Sequence, residues 1–117
     1  MNKRQVGNEN ELRAVRFLTE NGYRILKKNF YCKAGEIDII ATEGEYLCFI
    51  EVKYRKDGLD GFPEEAVDMK KIKRISKSAM FYMNMCGLGE NVPCRFDVVS
   101  ILGNDIKLIK NAFEAVL

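Results

Sequence analysis

Asp38, Glu51 and Lys53 are charged residues set inside otherwise apolar, β-branched runs, and that placement needs a reason. Asp38 stands between Ile37 and Ile39, while Glu51 and Lys53 interrupt the end of the most hydrophobic stretch of the chain. Side chains alternate across a strand, so Glu51 and Lys53 share a face. A turn near Glu43-Gly44 sets Asp38 roughly opposite Glu51, within a residue of register. Two carboxylates and an ammonium then meet at one end of a sheet. Hard cations such as Mg²⁺ (with Mn²⁺ as substitute) take carboxylate oxygens and keep positions open for water and phosphate. A cation between the acids relieves their repulsion, and the lysine can orient an attacking water and offset transition-state charge. The set is chemically sufficient for phosphodiester hydrolysis. A structural salt bridge between Lys53 and the two acids is the alternative account of the same residues.

The elements that must position these groups follow from periodicity. A helix is expected over 7–21, with Asn8 as cap and Leu12, Val15 and Leu18 on its apolar face. A short strand follows over 23–28. Residues 36–41 and 46–53 read as an antiparallel hairpin about a turn at 42–45, and Gly35 permits a close approach or a positive φ. A glycine-bearing loop occupies 56–62. Pro63 is placed to open a long helix, with Ala66, Ile72, Ile75, Ala79 and Met83 as its buried stripe and Gly87 as its stop. Strands at 95–101 and 106–109 complete the order α-β-β-β-α-β-β in a single domain, 1–117.

Composition narrows the chemistry. The 117 residues are 47% hydrophobic and 31% charged, the mixture of one globular domain. No apolar run approaches the roughly 18 residues of a membrane span, and residues 1–5 lead into polar sequence, so a cytoplasmic location is expected. With no histidine, Ser-His-Asp and Cys-His nucleophilic catalysis are excluded. Cys32, Cys48, Cys86 and Cys94 form no C-x-x-C pair and are expected to be reduced, small apolar side chains rather than a zinc site. A net charge of +2 does not announce a nucleic-acid binder, but its distribution is uneven. Lys70, Lys71, Lys73, Arg74 and Lys77 load one helix, Lys27, Lys28 and Lys33 flank the first strands, and Arg55 and Lys56 follow the acids. They could track a phosphate backbone or simply solvate a helix face. Tyr54, Phe62 and Tyr82 could stack on bases, although core or rim packing is their ordinary use.

The blocks Gly35-Glu36-Ile37-Asp38-Ile39-Ile40-Ala41 and Ile50-Glu51-Val52-Lys53-Tyr54-Arg55 resemble the PD-(D/E)xK nuclease superfamily. More closely, the chain resembles the bacterial YraN family of predicted endonucleases, related in fold to archaeal Holliday-junction resolvases. The likeness continues through Pro63-Glu64-Glu65-Ala66-Val67 and Cys94-Arg95-Phe96-Asp97-Val98-Val99 to Asn111-Ala112-Phe113, with Ile37 where the superfamily name has proline. The resemblance implies a restriction-endonuclease-like α/β fold, a mixed central sheet flanked by helices. It implies Asp38 and Glu51 as metal ligands, Lys53 as catalytic lysine, and Glu11 as a helix-borne acid, with Glu9 as its competitor. The expected activity is metal-dependent cleavage of branched, flapped or single-stranded nucleic acid, DNA before RNA. Lys70, Lys73, Arg74, Lys77 and Arg55 are the expected nucleic-acid contacts, and resolvase-like relatives extend the analogy to a homodimer. The alternative is a non-catalytic nucleic-acid-binding or partner-binding module on the same fold.

Overall fold

The computed structural model describes residues 2–59 and 61–117, and its sheet is built outward from the two most apolar runs. β2 (Gly35–Glu43) and β3 (Tyr46–Arg55) form the hairpin, paired from Glu43↔Tyr46 to Ile39↔Ile50. β1 (Arg24–Cys32) lies antiparallel along the outer side of β2. β4 (Cys94–Leu102) runs parallel to β3, and β5 (Asp105–Phe113) returns antiparallel beside β4. The five-stranded order is β1-β2-β3-β4-β5. A parallel step requires a long crossover, and here it carries the second helix, α2 (Met69–Met85). The chain thus has the expected α-β-β-β-α-β-β order in one mixed sheet with a helix on each face.

The two helices cover opposite faces, which is why the central strands are apolar on both sides. Ala14 and Leu18 of α1 (Lys3–Glu20) close over Ile39, Ala41, Cys48, Ile50, Val99 and Ile101. Ile75 and Ala79 of α2 close over Phe30, Ile37, Ile40, Phe49 and Phe96. No helix among the described residues is long and apolar enough to cross a membrane.

Several boundaries differ from the sequence expectation for local reasons. α1 begins at Lys3, four residues before the expected 7, because Asn2 and Gln5 make a reciprocal capping box; Asn8 lies inside the helix. Its buried face is Asn10, Ala14 and Leu18, whereas Leu12 is exposed. β1 reaches Cys32, well past 28, because its pairing with β2 continues across a register shift and the positive φ of Asn29. Pro63 opens only a 3-10 turn, Pro63–Ala66. The chain leaves helical geometry at Val67 and restarts at Asp68, whose side chain accepts from the Lys71 amide at 2.9 Å, so exposed Ala66 is not part of the helix stripe. β5 extends beyond 109 to Phe113 through a second register shift. The cysteines are free, but Cys86 is exposed rather than buried. Gly35 behaves as expected: its φ is +146°, and a Cβ there would sit 3.6 Å from the Ser78 hydroxyl of α2.

The Asp68 cap is directly testable. Asp68→Ala leaves the first turn of α2 without that acceptor and is expected to cost about 1 kcal/mol, read as a lower urea midpoint at unchanged slope.

Candidate active site

The hairpin ladder stops at Ile39↔Ile50, one residue short of the acids. Continued in register, it would set Asp38 against Glu51. Instead the Asp38 carboxylate accepts from the Val52 amide at 2.8 Å, taking the place of a backbone partner. Val52 packs on the α1 side of the sheet, so alternation sends Glu51 and Lys53 to the α2 side. There Glu51 Oε1 lies 3.3 Å from Lys53 Nζ and 3.4 Å from Lys71 Nζ.

Glu51 is 4% exposed, and its second oxygen, Oε2, is buried with no hydrogen-bond partner among the described residues. A buried carboxylate oxygen left unpaired is costly and calls for a partner from outside the chain. Asp38 carries the complementary sign of strain. Burial first, and the nearby Glu51 charge second, push its carboxyl up from an ordinary 3.8 to about 7, against the opposing pull of the Val52 amide and Lys71. Two hard oxygen donors that disfavour their joint charge, one of them orphaned, fit a divalent cation.

Another buried acid shows the contrast. Asp97 is fully buried, and both its oxygens are satisfied. Oδ2 accepts from the Tyr23 hydroxyl at 2.7 Å and from Arg95 Nη2 at 3.0 Å; Oδ1 accepts from Arg95 Nε and the Asn111 amide, each at 2.9 Å. Arg95 also holds Glu43 at 2.7 Å, and Lys110 reaches the same carboxylate at 2.6 Å. Burial and Asp97 push the Tyr23 phenol well above its ordinary range, so it stays a donor. This cluster is closed on itself and ties β2, β4 and β5 to Tyr23, the residue that leads into β1. Sequence reading placed Arg95 and Asp97 on a strand but could not see their closure.

The remaining expected residues are distributed as follows. Glu11 lines a cleft with Asp38, but its Oε1 accepts from Asn29 Nδ2 at 2.8 Å; Glu9 is exposed. No three acidic or thiol side chains are grouped closely enough for a metal among the described residues, so Glu11 is not drawn in with Asp38 and Glu51. Lys70, Lys73, Arg74 and Lys77 are exposed at i, i+3, i+4 and i+7, one stripe along α2. Lys71 leaves that stripe and turns in to Glu51. Its offset from the 70/73/74/77 rhythm was the available signal for that role. Arg55 shares the strand parity of Glu51 and Lys53, and its Nε is buried without a partner among the described residues. Tyr82 packs edge-on against Phe30 and Phe49 as a core aromatic, whereas Tyr54 lines the cleft and Phe62 is exposed.

Residues 10–101 match the sequence model of "Uncharacterised protein family UPF0102". A UPF0102 protein of Lachnoclostridium phytofermentans is 50% identical over 115 residues, covering 98% of each chain. Relatives of the same description occur in Caldicellulosiruptor saccharolyticus, 45% identical over 97% of this chain and 100% of that protein, and in Persephonella marina, 44% identical over 92% of each.

Proposed function

The chain belongs to the uncharacterised protein family UPF0102, and for this member of it we propose a metal-dependent endonuclease that hydrolyses phosphodiester bonds in nucleic acid, DNA in preference to RNA. The observation that carries the reading is the buried Oε2 of Glu51, unpartnered among the described residues, beside an Asp38 carboxyl that burial and Glu51 push up to about 7. The resemblance to PD-(D/E)xK nucleases supports it from the sequence side.

Asp38 and Glu51 are the residues that would hold Mg²⁺ or Mn²⁺. When bound, such an ion polarises a phosphate oxygen and makes a water more acidic. Lys53 keeps its ammonium within 3.3 Å of Glu51, where it can hydrogen-bond the attacking water and offset charge on the phosphoryl oxygens. Lys71 holds the same carboxylate from the helix side and fixes its orientation. The Lys70, Lys73, Arg74 and Lys77 stripe supplies a phosphate track beside this chemistry.

The test is cleavage of branched, flapped and single-stranded substrates with Mg²⁺ or Mn²⁺. Wild-type protein is expected to cut, and Asp38→Ala and Lys53→Ala to lose on the order of 10²–10³-fold in rate. Protein that binds these substrates through the α2 stripe but cuts none with either ion would be a binding module instead.

A further inference from the structure

We propose that the cleft beneath α1 receives an unpaired base of single-stranded nucleic acid, stacked on Tyr31 and Tyr54 beside Asp38. The proposal deepens the nuclease reading and rests on it for the position of the scissile phosphate.

The cleft exists because the β2–β3 ladder ends at Ile39↔Ile50 while both strands run on. The parted ends enclose about 450 Å³ under the first turns of α1. All three of Tyr31, Asp38 and Tyr54 line it, and the strand order β1-β2-β3 sets Asp38 between the two tyrosines. Tyr31 is 70% exposed and Tyr54 38%, and neither ring stacks on another aromatic among the described residues. Large exposed aromatic faces are what sequence-tolerant base stacking uses.

The charges sort the parts of a nucleotide. Glu11, Glu36 and Asp38 line the cleft, where carboxyl oxygens can accept from the amino groups of a base. Lys3 and Arg4 lie at the α1 edge of the same cleft, where they suit the backbone. A duplex hides its base faces in the stack and offers nothing to this space.

Gly7 is the independent sign. It lies inside α1 on the cleft wall, where glycine is disfavoured relative to alanine. A Cβ there would meet nothing within 4 Å among the described residues, whose packing therefore does not require glycine. The bare helix surface leaves room for something outside the protein.

The experiment is fluorescence anisotropy with a short labelled strand, as DNA and as RNA, against the blunt duplex, in Ca²⁺. Either single strand is expected to bind roughly tenfold or more tighter than duplex, and Tyr31→Ala and Tyr54→Ala each to weaken it roughly 5- to 100-fold, with Tyr→Trp restoring it. Gly7→Leu should raise the melting temperature yet weaken strand binding, which separates a blocked cleft from a damaged fold. Equal affinity for strand and duplex, or unaltered strand binding in the alanine or leucine variants, overturns the proposal. Cleavage in Mg²⁺ is scored separately. Cutting with tyrosine-independent binding sinks the stacking cleft alone, and tyrosine-dependent binding without cutting sinks the nuclease reading alone.

Discussion

Asp97→Ala is expected to cost about 3–5 kcal/mol and to lower the melting temperature by roughly 10–20 °C. Asp97 is wholly buried and accepts from the Tyr23 hydroxyl, two Arg95 nitrogens and the Asn111 amide. Truncation leaves the partly buried guanidinium with only Glu43 and the Tyr23 oxygen as hydrogen-bond acceptors, and strands the Tyr23 hydroxyl hydrogen and the Asn111 amide without acceptors. Such orphaning costs far more than the net worth of the pair, and a domain of this size has a total stability of only about 5–15 kcal/mol. Asp97→Asn keeps the volume and one acceptor and should fall between wild type and alanine. Thermal and urea melts followed by circular dichroism decide it. A shift below about 3 °C for alanine would mean that the cluster does not brace the sheet.

Asp38→Asn should move stability the other way. In chelator at pH 8 the wild-type carboxylate is charged against burial and against Glu51, while asparagine keeps an oxygen for the Val52 amide without the charge. The folded carboxyl titrates at about 7 against an ordinary 3.8, so between those values the folded state binds more protons than the unfolded one. Wild-type stability without metal therefore falls as pH rises through that window, by on the order of 2–4 kcal/mol. The asparagine variant should melt several degrees above wild type at pH 8, and the gap should close near pH 4. Mg²⁺ or Mn²⁺ at pH 8 should raise the wild-type melting temperature and leave the variant unmoved. Protein indifferent to both ions, with a variant no more stable than wild type, would make the acids and Lys53 an ion-paired brace.

The opposite signs at Asp97 and Asp38 mark what could and could not be read in advance. Both are single acids in apolar strands, and nothing in their neighbours along the chain separates a closed cluster from an open one. The partners differ in distance along the chain: Tyr23 is 74 residues from Asp97, and Glu43 is 52 from Arg95. The helix expected from Pro63 starts later, although Pro63, Glu64 and Glu65 are good opening residues in themselves. The cap that begins α2 is Asp68, after a break at Val67.

By itself the sequence determined the element order, the hairpin, and the shared face of Glu51 and Lys53. Those depend on periodicities of two and 3.6 residues, which are complete within each segment. Tertiary structure alone decided that Lys71 meets Glu51, that Asp38 takes the Val52 amide, and that Glu11 binds Asn29. It also opened a cleft where the β2–β3 ladder ends. The parallel β3–β4 step carries α2 across one face, and only that crossover brings the helix lysine to the strand acid. Local pattern sets which way a side chain points, and the packing of distant segments sets what it meets there.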